Sequence, residues 1–271
     1  MRETGTSIEV IRPLVHPAFR SAVLDFDGTI SLIREGWQQI MTPYFVEVLK
    51  NTPHPGAEEE AEECAREFID KLTGKQTIYQ CIAVAEEIEK LGGTPEDPQA
   101  YKDEYHRRLL ERIDGRLRGL ADGSIDPETL TVPGAYELLK LLRGHGLTLY
   151  LASGTDEEYV KKEADLLGVT GYFDGGVYGA RRAYKTFSKR MVIDRLLREN
   201  GLAGEQLLGF GDGYVEIENV KAVGGAAVGV ASNEAERRGI DEWKRERLLR
   251  AGADAIIADY RGIDALAEYL F

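Results

Sequence analysis

Short apolar runs that end at Gly, Ser or Asp recur along this chain with helical patterns between them, and that alternation limits the fold more than any other feature. The runs are residues 22–26 (AVLDF), 147–152 (LTLYLA), 207–210 (LLGF), 226–230 (AAVGV) and 255–258 (AIIA). Segments this short and this apolar suit strands buried on both faces. Helical periodicity fills residues 157–167, 189–200, 215–223 and 241–251. Strand–helix alternation of this kind predicts βαβ units, and so a parallel sheet with helices on both faces. The expected fold class is α/β with a Rossmann-like core.

The alternation breaks once. Between residues 31 and 126 no strand pattern occurs, only helical periodicity at 57–72, 76–91 and 99–120, punctuated by Pro53, Pro55, Pro95, Pro98 and the Gly92-Gly93 pair. The acidic run GAEEEAEE at 56–63 reads as a solvated helical face. Residues 1–30 and 127–271 are therefore expected to form the α/β core, and 31–126 an inserted all-α domain.

Charge removes several classes of function. The 271 residues carry 34 Lys and Arg against 47 Asp and Glu, a formal net charge of −13. Nucleic-acid binders gather affinity from excess basic charge, and so does adsorption to anionic membranes, so neither partner is expected. No apolar run approaches the roughly 18 residues of a membrane span. The opening MRETGTSIEVIRPLVHP lacks a basic stretch leading into an apolar one, so no secretory signal is expected. Cys64 and Cys81 show no CxxC spacing, and His16, His54, His106 and His145 make no HExxH pair, which sets aside zinc and thiol chemistry. The expectation is a cytoplasmic protein with reduced thiols, acting as a monomer or homodimer.

The strongest local signal is AVLDFDGTI, residues 22–30. An apolar strand runs directly into Asp25 and Asp27, whose side chains, two apart, can share one direction at the carboxyl edge of the sheet. Like charges that close require a cation or a shared proton, and a hard ion such as Mg²⁺ suits oxygen ligands. A second acidic pair follows in LLGFGDGYVEIENV, where a strand delivers Asp212 to a glycine turn and Glu216 falls on the first turn of the next helix. Glu218 is expected to point elsewhere. A dinucleotide fingerprint is the competing reading of Gly209, Gly211 and Gly213. It fails because the third glycine would fall at Tyr214, and because Asp212 would face a pyrophosphate.

Two further elements offer phosphate contacts. In LTLYLASGTDEEY a strand is expected to end at Ser153, with Gly154 and Thr155 at a strand-to-helix turn whose donors could bind phosphate or simply cap the helix. In YKTFSKRMVIDRLL, Ser188 reads as a helix N-cap, which puts Lys189 on the first turn, with Lys185 four residues earlier.

Taken in order, DFDGT, Ser153, a lysine and GDGYVE resemble the four motifs of the haloacid dehalogenase (HAD) superfamily, and the helical insert matches the position of that family's C1-type cap. The likeness is to phosphoglycolate- and phosphoserine-phosphatase-like members. It implies Asp25 as a nucleophile forming an aspartyl-phosphate, and Asp27 as general acid and then base. It further implies Mg²⁺ bound by Asp25, Asp212, the backbone carbonyl of Asp27 and Glu216, directly or through water. Ser153, Gly154, Thr29 and a lysine would hold the phosphoryl group, with Lys189 preferred over Lys185 by its spacing from Asp212. Asp at position 27 resembles phosphatases and phosphomutases; dehalogenase-like members carry another residue there.

The implied activity is Mg²⁺-dependent hydrolysis of a small phosphorylated metabolite, a sugar phosphate being one candidate. The alternatives are a β-phosphoglucomutase-like phosphomutase and a non-catalytic binding protein of the same fold. Specificity candidates are Arg34, Glu35 and Trp37, and the 73–77 segment TGKQT.

Overall fold

The computed structural model describes residues 8–14 and 18–271; His16 and the first seven residues of the stretch read for a signal lie outside the described residues. In chain order, the short strand Glu9–Val10 (β1) and Ser21–Leu24 (β2) precede four helices: Gln38–Lys50 (α1), Glu58–Leu72 (α2), Ile78–Lys90 (α3) and Pro98–Asp122 (α4). Then come Ala135–Gly144 (α5), Thr148–Asp156 (β3), Glu157–Leu166 (α6), Gly176–Ala180 (β4) and Lys189–Asn200 (α7). The chain continues through Leu207–Gly211 (β5), Tyr214–Lys221 (α8), Ala226–Val230 (β6), Glu242–Ala251 (α9) and Ala255–Ile257 (β7) to Ile263–Leu270 (α10).

The strands form one seven-stranded sheet in the order β1-β7-β6-β5-β2-β3-β4, parallel except for β1, which pairs antiparallel with β7. This is the expected α/β architecture. Every residue of β2, β5 and β6 is buried, as strands covered by helices on both faces must be. On one face Val23, Ile193, Leu196, Ile217, Val220 and Leu248 share a continuous apolar cluster. Each fully buried side chain of this size contributes roughly 1.5–3 kcal/mol of transfer free energy.

The chain divides into two compact units, residues 1–35 with 117–271, and residues 36–116. The second is all-helical and narrower than the 31–126 expected from the sequence. Its apolar stripes have helical spacing: Met41, Phe45 and Leu49 on α1, Ala61, Ala65 and Ile69 on α2, and Tyr105, Leu109 and Ile113 on α4, all buried. Among the described residues no helix is long and apolar enough to cross a membrane.

Candidate active site

Parallel register sets three strand ends side by side. Leu24, the last residue of β2, pairs with Phe210 of β5 on one side and Leu151 of β3 on the other. The residues beyond them, Asp25, Asp212 and Ser153, therefore converge on one edge. β2 is also where strand order reverses, the crevice at which open α/β sheets bind ligands.

Asp25 is 6% exposed. Its Oδ1 accepts from the Phe26 N–H at 2.8 Å and lies 2.9 Å from Lys189 Nζ. Lys189, itself buried, also lies against Glu216 Oε1. The expected cap explains how the lysine gets there. Ser188 Oγ accepts the Met191 N–H at 3.1 Å, starting α7 so that Lys189 is its first residue. Lys185 is exposed, with Nζ 5.7 Å from the Tyr184 ring centroid, and takes no part in the cluster. Burial pushes the Asp25 carboxyl up to about 6; Lys189 opposes that rise and Asp212 adds to it.

Asp27 is reached from β3, where the sequence reading needs correction. The strand does not end at Ser153 but runs on to Asp156, with a register irregularity between Ala152 and Asp156. Thr155 is consequently not a helix cap. Its hydroxyl donates to Asp27 Oδ2 at 2.8 Å, and its N–H donates to Ser153 Oγ at 3.0 Å. Asp27 Oδ1 is buried and accepts no hydrogen bond, with Arg34 Nε 4.0 Å away. Burial lifts Asp27 to about 6 as well, opposed by Arg34 and by the Thr155 hydrogen bond. Arg34, a specificity candidate in the sequence, is buried and gripped by Glu163 of α6. Its Nη2 donates to Oε1 at 2.7 Å, and its Nε donates at 3.0 and 3.1 Å.

Thr29, expected among the phosphate contacts, is fully buried instead. Its Oγ1 accepts the Asp212 N–H at 3.0 Å and its carbonyl accepts the Tyr260 hydroxyl at 3.0 Å, so it braces the two acidic loops against each other. Gly28 allows that approach. Its φ is +71°, and a β-carbon there would run into the Asp212 carboxylate.

The sequence reading missed a second lysine altogether. Lys244 of α9 is 7% exposed, with Nζ 2.9 Å from Asp212 Oδ2, 2.7 Å from Glu234 Oε1 and 3.2 Å from Ser232 Oγ. Ser232 donates in turn to the Gly28 carbonyl at 2.6 Å. Burial works against the Lys244 charge, yet Asp212 and Glu234 hold its pKa above the ordinary lysine range. No local signal in the sequence marked it: in SNEAERRGIDEWKRERLL one lysine among many charges reads as solvated surface.

Asp25, Asp212 and Glu216 present only carboxylate oxygens, the donors a hard divalent cation takes. Neither Glu216 oxygen accepts a regular hydrogen bond. Lys189 and Lys244 set two ammonium charges against the carboxylates of Asp25, Glu216, Asp212 and Glu234, which leaves the edge negative. The donor chemistry therefore fits Mg²⁺. A finished cage is not present: among the described residues no three such side chains already converge as ligands. Glu218 is exposed, as expected.

A family model described as haloacid dehalogenase-like hydrolase matches residues 19–224. The chain belongs to this family. Solved structures of the HAD fold superpose along nearly its whole length. A predicted phosphoglycolate phosphatase from Haemophilus somnus aligns with a TM-score of 0.60 at 16% identity, covering 93% of this chain and 99% of that one. A haloacid dehalogenase-like hydrolase from Streptococcus pneumoniae gives 0.58 at 20% identity, with the same two shares of 93% and 99%. A β-phosphoglucomutase from Clostridium difficile gives 0.56 at 14% identity, covering 86% and 98%. At these identities the likeness is one of fold. No curated protein sequence matches the chain. The HAD family match stops at residue 224, so Ser232, Glu234 and Lys244 lie beyond it.

Proposed function

We propose that this HAD-family hydrolase is a phosphatase acting on a small phosphomonoester through an aspartyl-phosphate on Asp25. The observation that carries this reading is the contact between Lys189 Nζ and Asp25 Oδ1 at 2.9 Å, with Asp27 held by Thr155 beside it. Lys189 and the Phe26 N–H both engage Oδ1, which leaves Oδ2 to attack phosphorus. As the bond from phosphorus to the leaving oxygen breaks, Asp27 gives that oxygen its proton. Ionised afterwards, Asp27 takes a proton from the water that attacks the acyl-phosphate and regenerates Asp25. A carboxyl lifted to about 6 is suited to both tasks near neutral pH.

Ser153, Gly154 and Lys189 hold the transferring phosphoryl oxygens, work that is mostly positioning and charge neutralisation. Mg²⁺ on Asp25, Asp212, Glu216 and the Asp27 carbonyl would supply the remaining positive charge. Residues 36–116 take the role of a cap that selects the leaving group, a role suggested by their place in the chain.

The test is hydrolysis of p-nitrophenyl phosphate, and of a panel of sugar phosphates, phosphoglycolate and phosphoserine, with Mg²⁺ and with EDTA. Mg²⁺-dependent phosphate release that Asp25→Asn abolishes is the expected result. No release from any of these substrates, or undiminished release by Asp25→Asn, would overturn the reading.

A further inference from the structure

Lys244 is a buried cation that none of the four motifs requires. It sits at the third residue of α9, where Asp241 Oδ1 accepts its N–H at 3.0 Å and fixes the start of the helix. From there Nζ spans two carboxylates, Asp212 and Glu234. The loop that carries Glu234 is itself closed, since Ser232 and Ile240 form an antiparallel bridge. It is also tied to the nucleophile loop, because the Ser232 hydroxyl, which Lys244 contacts, donates to the Gly28 carbonyl. An ammonium so deeply buried is costly unless its partners need it. Glu234 does, since burial lifts its carboxyl and Lys244 opposes that rise, and the same ammonium lies 2.9 Å from Asp212 Oδ2.

We propose that Lys244 is a positioning residue for Mg²⁺ binding: by holding Asp212 through Oδ2 it fixes the orientation in which that carboxylate meets the metal. This role rests on the reading of Asp212 as a Mg²⁺ ligand. It goes beyond that reading in naming a residue outside the matched family segment as a determinant of metal affinity. Outer partners that orient a ligand typically change affinity by about 10- to 100-fold when removed.

The experiment measures Mg²⁺ binding to the substrate-free full chain by isothermal titration calorimetry, with thermal midpoints in EDTA recorded alongside. Lys244→Met should bind Mg²⁺ about 10- to 100-fold more weakly than the parent. That variant leaves Glu234 buried beside Asp212 with no cation, and can fail to fold for that reason. The double variant Lys244→Met/Glu234→Gln removes the problem, and it should bind about tenfold more weakly than Glu234→Gln alone. Equal affinity of these last two would make Lys244 a structural counter-charge for Glu234 and overturn the proposal. Tighter Mg²⁺ binding without Lys244 would overturn it too, since the lysine would then be competing with the metal for Asp212. A parent protein that binds no Mg²⁺ refutes the metal reading itself, and the proposal falls with it; a parent that binds while both comparisons stay flat refutes the Lys244 role alone.

Discussion

Lys189 and Lys244 each bridge two carboxylates at the same sheet edge, but they reach it by different routes. Lys189 opens a capped helix and touches Asp25, the proposed nucleophile, and Glu216. Lys244 comes from a helix 55 positions further on, touching Asp212 and Glu234 but not Asp25. The first cluster surrounds the atom expected to react, and the second braces a carboxylate expected to hold metal. The difference teaches that similar ion pairs can serve chemistry in one case and geometry in the other, and variants can separate the two.

The largest effect should come from Asp25, the proposed nucleophile. Asp25→Asn keeps the side-chain shape but removes the attacking charge, so turnover should fall at least about a thousandfold. Mg²⁺ should still bind, though more weakly, because the Asp212–Lys244–Glu234 cluster is intact. If Asp25→Asn turns over within tenfold of the parent, the chemical role of the first cluster is lost. Chelation by EDTA should be as severe as Asp25→Asn and reversible by Mg²⁺.

Lys189→Met should cost about 10²–10³ in turnover, the usual scale for one preorganised charge facing a developing anion. The loss should persist at saturating Mg²⁺, whereas that of Lys244→Met should shrink as Mg²⁺ is raised. Identical responses of the two variants to Mg²⁺ would erase the distinction between the clusters.

Much of the first cluster was legible because its chemistry sits in contiguous residues. An apolar strand running into DFDGT, and a second into GDGYVE, placed Asp25, Asp27, Asp212 and Glu216, and Ser188 placed Lys189. Apart from Asp212, the second cluster was hidden: the apolar run AAVGV leads to Ser232 and Glu234, but they lie in an irregular loop with no motif, and Lys244 comes from the start of a separate helix. The fold shows the same divide. β2, β5 and β6 announced themselves as buried apolar runs, while the edge strands β1 and β4 did not. β1 is two residues long and half exposed, and β4 is GVYGA, with two glycines in five positions. Helix α1, with Pro43 inside it, broke the periodicity that revealed α2 to α4. Thr155 was misread because no local pattern distinguishes a strand with a register irregularity from a turn.

A smaller effect is the pH dependence of metal-free stability. Asp25 and Asp27 are raised to about 6 in the folded chain, so between pH 4 and 6 the folded state holds more protons than the unfolded one. The stability they contribute is full below the unfolded carboxyl pKa and is lost as pH rises through about 6. In EDTA, the thermal midpoint should therefore rise by roughly 2–6 °C from pH 7 to pH 5. Asp25→Asn should flatten that slope. The helical unit works in the opposite sense: hydrogen bonds from Arg107 and Arg108 hold Glu104 down at about 2, so its contribution is lost only in stronger acid. A midpoint that falls steadily from pH 7 to pH 5 would mean that the buried site does not govern this window.

The smallest effect isolates a single hydrogen bond. Thr155→Val keeps the β-branched shape that suits β3 and removes only the hydroxyl that donates to Asp27 Oδ2. That bond favours the ionised carboxylate, so its loss should raise the Asp27 pKa by less than about one unit. In the proposed mechanism, attack of water needs Asp27 ionised. Where that step limits turnover, the acid limb of the pH–rate profile should move to higher pH, with a loss of about threefold below pH 6 and almost none at pH 8. Neither lysine cluster touches Thr155, so Mg²⁺ affinity should stay where it is. A uniform loss across all pH values would instead mark Thr155 as a support for the β3 edge beside Ser153, and the control of Asp27 would then rest with Arg34 and burial.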